Sequence, residues 1–151
     1  MKTLTSQRNS AFAELCLGMA AAELRHGRAV DAGVIVRRAI YTRAAGFYMS
    51  YARALRLAYA GGEACRDASG IGRQRAQALS RAVDAYRAAR PRAGIPEAVA
   101  AVLTDSSAPR YYFRPAQGRR ILAAEIRRRL ARGGAGAPEV LALALSLHLR
   151  P

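Results

Sequence analysis

Arginine and tyrosine are the side chains of this sequence best equipped to act on a partner. A guanidinium stays charged at any physiological pH and grips phosphate oxygens in a planar fork. A tyrosine ring offers a flat face on which a nucleobase can stack. The sequence carries 25 Lys and Arg against 10 Asp and Glu, a formal net charge of +15, and Lys2 is its sole lysine. Candidate contacts fall in two stretches. The first holds Tyr48, Arg53 and Arg56; the second holds Arg110, Tyr112, Arg114, Arg119, Arg120, Arg127 and Arg128. Arg73, Arg75, Arg81, Arg87, Arg90 and Arg92 form a further basic series. A run of charge is ordinarily a solvated helix face. Here the shortage of acids leaves a net field that draws polyanions, so phosphate binding gains weight.

Other chemistry finds little support. Glu14, Glu23, Asp31, Glu63, Asp67, Asp84, Glu97, Asp105, Glu125 and Glu139 are scattered, with no close pair suited to acid–base work. Cys16 and Cys65 have no metal-ligand spacing to His26 or His148 and read as small packing residues. Gly70-Ile71-Gly72 resembles part of a phosphate-cradling loop, but no strand precedes it and a third glycine is missing, so it reads as linker. Arg and Tyr together evoke a tyrosine-nucleophile strand transferase, for which the chain is too short. No catalytic residue, cofactor or metal ligand is expected.

These residues need helices to position them. Hydrophobic residues make up 52% of the sequence, enough for a folded core, and no apolar run is long enough to span a membrane. The N-terminus imitates a signal peptide, but Glu14 interrupts the apolar run and an amphipathic helix over residues 5–26 fits better, with a stripe of Phe12, Leu15, Met19 and Ala22. Cytoplasmic location is the expectation. Asp31 can cap a second helix running to about Arg43, with Ala32, Ile35, Val36, Ala39 and Ile40 inward. Gly46-Phe47-Tyr48-Met49 connects it to a third helix, capped by Ser50 and spanning 51–60.

The plan then recurs 64 positions later. Phe47-Tyr48-Met49 corresponds to Tyr111-Tyr112-Phe113, Ala44 to Ala108, Arg56 to Arg120 and Leu57 to Ile121. The aromatic match carries most weight, because aromatics are only 7% of the chain. Helix starts recur too: Pro96 follows the counterpart of Asp31, and Pro115 follows that of Ser50. In the second copy the helices are expected over 72–90, 96–104 and 115–132, the first with the stripe Ala76, Leu79, Val83 and Tyr86. Phe47 and Tyr111 read as core plugs; for Tyr48 and Tyr112 core and ligand contact weigh evenly. The second and third helices have the ingredients of a helix-turn-helix, though the connection exceeds the usual three or four residues. Beyond 133–136 the leucine-rich tail reads as a helix opened by Pro138-Glu139, with a strand as the alternative.

Ala108-Pro109-Arg110-Tyr111-Tyr112-Phe113, with Ala116 and Ile121, resembles a motif of small uncharacterised bacterial proteins, some carried on mobile elements. The first copy is a degenerate version, with Ala45 and Gly46 in place of Pro and Arg. The resemblance implies no activity. The expected architecture is all-α: two pseudo-repeated three-helix units, 1–62 and 63–134, and a C-terminal helix within 135–151, packed as one domain or as several. The expected function is non-catalytic binding of DNA or RNA through an arginine-rich helical surface, as a regulator or a mobile-element accessory. The alternative is an adaptor docking through its apolar tail on an acidic protein partner or on a second copy. No membrane partner is expected.

Overall fold

The computed structural model describes residues 2–61, 70–132 and 136–149. Among them are seven α-helices and no strand. They are α1 (Leu4–Arg25), α2 (Ala32–Ile40), α3 (Tyr51–Ala60), α4 (Gly70–Ala89), α5 (Ile95–Asp105), α6 (Pro115–Ala131) and α7 (Pro138–Ser146). The chain is all-α. Cys65 and most of the expected linker lie outside the described residues.

Local chemistry explains most helix starts. Thr3, Asp31 and Ser50 each accept a backbone N–H from the first turn of α1, α2 and α3. Helices α5, α6 and α7 open with proline in the first turn, where a missing N–H costs no helical bond. Helix α2 is shorter than expected and stops at Ile40. Four residues on, Ala44 leaves helical geometry and exchanges reciprocal hydrogen bonds with Ala108, at 2.9 and 3.0 Å. Helix α4 starts early and absorbs Gly70-Ile71-Gly72, which is therefore helix and not linker.

The helices gather in two compact units, Met1–Tyr41 with Phe113–Pro151, and Thr42–Tyr112. The cut at 62/63 expected from the sequence does not coincide with these units. In the first unit, α1, α2, α6 and α7 pack together. Its core includes Phe12, Cys16, Ile35, Val36, Ile40, Phe113, Leu122, Ile126 and Leu143, all nearly inaccessible. All five residues expected on the inner face of α2 are buried. On α1 the buried face is Phe12, Ala13, Cys16, Leu17 and Ala20; Leu15, Met19 and Ala22 are only half-buried. Several helices press on α1, so the small residues at adjacent positions face inward instead. Burial pushes the Cys16 thiol up to about 12, which makes it an inert packing group.

The tail is helical. In α7, Val140, Leu143 and Ala144 point inward. Its first unit partners are α1 and α6, and Ser146 Oγ accepts the Ala32 N–H at 2.7 Å. The helix ends through His148, whose φ of 57° lets Leu149 donate back to the Ala144 carbonyl.

In the second unit α5 packs on both α3 and α4 around Ala54, Leu79, Val83, Val99, Val102, Phe47 and Tyr111. Phe47 and Tyr111 are buried there, as expected for plugs. Of the helices expected to form a helix-turn-helix, α2 packs on α1 and α6 in the first unit, and α3 packs on α4 and α5 in the second.

Gly118 marks the tightest crossing in the first unit. A Cβ there would lie 2.8 Å from Val36 Cγ1 and 3.2 Å from Phe12 Cζ. Neither neighbour has room to retreat in a close-packed core. Gly118→Val is expected to cost about 1–3 kcal/mol by overpacking, read as a lower Tm by calorimetry. An unchanged Tm would mean that α6 does not press on α1 and α2 at that point.

Candidate nucleic-acid interface

The second unit assembles a cluster of arginines around two tyrosines. Tyr48 follows the buried Phe47 and adopts φ of 51°, a left-handed conformation that a bulky residue rarely takes. Arg75, from α4, holds it there. Its Nη2 donates to the carbonyls of both Phe47 and Tyr48, at 2.6 and 2.8 Å. The Tyr48 ring stacks on the buried Tyr111 ring, with centroids 6.4 Å apart and planes inclined by 15°. Tyr48 is half-buried.

Tyr112 is also half-buried, and Arg110 lies over its ring at 5.5 Å. Arg110 is itself braced: Nε donates to the Tyr111 carbonyl at 3.0 Å and Nη1 to Gln74 Oε1 at 3.2 Å. Burial pushes the Tyr112 phenol above its ordinary value, while the positive charges of Arg110, Arg75 and Arg81 pull the other way. Three guanidinium groups therefore lie close enough to act on one ring. The acids of this unit among the described residues are Asp84, Glu97 and Asp105, and none of them forms an ion pair there.

The other expected contacts are distributed as follows. Arg53 and Arg56 are exposed on α3, in the same unit. Arg114, Arg119, Arg120, Arg127 and Arg128 are exposed on or just before α6, in the first unit. Arg119 reaches toward α2, its Nη1 lying 3.9 Å from where a Cβ on Gly33 would sit. The Arg127–Arg129 run is partly neutralised. Arg128 pairs with Glu125, and Arg129 bridges Glu125 and Glu14. Arg28 and Arg38 likewise share Glu23. Arg8, far from these runs, sits 4.6 Å over the Phe113 ring and bonds Asn9, a packing role.

Arg75 and Arg81 belong to a basic series noticed in the sequence but not singled out as contacts. Helical spacing alone does not say which of six arginines turns toward the aromatic connection. Among the described residues no group of three or more His, Cys, Asp or Glu could hold a metal ion, and no helix is long and apolar enough to cross a membrane. Compared with protein-family models, curated proteins and solved structures, the chain shows no match.

Removing the Arg75 brace tests the cluster. Arg75→Met leaves two carbonyls without their charged donor, and such bonds contribute about 1.5–3 kcal/mol each before solvent discounts them. The variant is expected to unfold at lower denaturant and to exchange the amide hydrogens of residues 46–49 faster. Unchanged exchange there would show that Tyr48 keeps its conformation without Arg75.

Proposed function

We propose that this chain is a non-catalytic nucleic-acid-binding protein that uses its arginine-rich helical surface, with the Tyr48–Tyr112 cluster at its centre. The observation that carries the reading is Tyr112 under Arg110, within the field of Arg75 and Arg81. Guanidinium groups for phosphates beside partly exposed aromatic faces for bases are the combination by which proteins hold nucleic acid without base-specific reading. Arg53 and Arg56, exposed on α3 of the same unit, add to its positive charge. The α6 arginines contribute less, because Glu125 and Glu14 occupy part of that run.

The architecture belongs to the same proposal: two copies of one three-helix unit that have exchanged their third helices, followed by α7. Several buried pairs support it at the 64-residue offset, namely Phe12 and Ala76, Ile35 and Val99, Phe47 and Tyr111, Met49 and Phe113, and Ala54 and Gly118. The packing partners agree as well. Helix α1 packs on α2 as α4 does on α5; α2 packs on α6 as α5 does on α3. Ala44 and Ala108, the same position in each copy, bond to each other.

A second reading, an adaptor for an acidic protein, has one observation in its favour. Leu141 and Leu145, one helical turn apart on α7, are 44% and 76% exposed.

Fluorescence titration with labelled single-stranded and duplex DNA and RNA separates the two. A binder contacting about six to ten phosphates loses roughly 10³–10⁵ in affinity between 50 and 200 mM salt. That steep loss is the expected result. Failure to bind any of these probes at 50 mM salt would overturn the nucleic-acid reading and leave the adaptor.

A further inference from the structure

Beside the Arg–Tyr cluster the second unit has a cleft of about 530 Å³, within the size range of small-ligand sites. Its wall is made by Ala82, Ala85 and Tyr86 of α4, with Pro109 opposite and Ser106, Ser107 and Asp105 at the end of α5. Arg43 stands exposed at its edge. Two chain neighbours tie the cleft to the cluster. Ala82 follows Arg81, and Pro109 precedes Arg110, both arginines that act on Tyr112.

We propose that this cleft receives one nucleobase of a single strand whose backbone runs over the neighbouring arginines. The inference rests on the nucleic-acid reading above and adds a ligand class: single-stranded DNA or RNA in preference to duplex.

The chemistry of the lining suits a base. The methyl groups of Ala82 and Ala85 and the Pro109 ring give an apolar surface for a flat heterocycle. The Ser106 and Ser107 hydroxyls both donate and accept, whereas the Asp105 carboxylate only accepts and so favours bases presenting N–H groups. The edge is suited to a phosphate. Arg43 forms no ion pair among the described residues, and Arg81 and Arg110 are the chain neighbours of Ala82 and Pro109 in the wall. Arg90 covers the Tyr86 ring at 4.3 Å, which holds that ring as part of the wall. A paired base cannot enter such a cleft without leaving its stack and its partner, an expense a single strand does not meet.

The test uses the full chain with four labelled probes: a mixed-sequence DNA 12-mer, its RNA equivalent, the DNA duplex, and the DNA strand with abasic spacers. Single strands are expected to bind about tenfold more tightly than duplex, in line with the worth of one to two stacked bases. Ser107→Leu fills the cleft and is expected to lose about that factor for single strands, with duplex affinity nearly unchanged. The abasic strand is expected to bind the unaltered protein as weakly as the normal strand binds Ser107→Leu. Arg43→Gln, at an exposed position with no fold to disturb, serves as a second variant and is expected to weaken single strands selectively. Equal binding of strand and duplex, with both variants reducing them alike or not at all, overturns the cleft while nucleic-acid binding stands. Absence of binding by every probe overturns both.

Discussion

The reciprocal hydrogen bonds between Ala44 and Ala108 are the constraint on which the second unit depends. Two backbone strands come close enough to pair there, and both residues are nearly inaccessible, so only small side chains fit. The pairing stops α2 short of its expected length. It also fixes the start of both aromatic connections, because Phe47-Tyr48 and Tyr111-Tyr112 each begin three residues past a paired alanine. One ring of each pair, Phe47 and Tyr111, is thereby turned into the core, and its neighbour is left half-exposed. A larger residue at either alanine would push the backbones apart and undo the stack of Tyr48 on Tyr111.

Among the described residues, arginine is used differently in the two units. In the first unit Glu14, Glu23 and Glu125 are taken up by Arg28, Arg38, Arg128 and Arg129. Exposed pairs of this kind contribute little stability, but they blunt the local field. The second unit instead directs its arginines at backbone carbonyls and ring faces, through Arg75, Arg90 and Arg110.

Much of the framework was legible from residue types. The caps Asp31 and Ser50, the first-turn prolines and the α2 stripe are local signals, and the helices follow them. The buried roles of Phe47 and Tyr111 followed from an aromatic position occurring twice. What periodicity could not supply was long-range packing. The inward face of α1 is rotated from the expected stripe because partners distant in sequence press on it. Nor does the alternating leucine pattern of the tail decide between helix and strand without the packing of Val140 and Leu143 in the first unit. The same limit hid Arg75, whose part depends on its reach to two carbonyls far away in sequence. Likewise the run of arginines at 127–129 is visible in the sequence, whereas the pairing of Arg128 and Arg129 with Glu125 is not.

We propose that nucleic acid binds at the Arg–Tyr cluster of the second unit and not chiefly along α6. The most direct measurement compares two double variants, Arg81→Gln with Arg110→Gln and Arg127→Gln with Arg128→Gln, in single-strand affinity across a salt series. The account predicts that the first pair weakens binding about tenfold or more and lowers the salt slope by roughly one to two phosphates, with a smaller effect from the second pair. A larger loss from the α6 pair, with the Arg81 and Arg110 variant near the unaltered affinity, would contradict it.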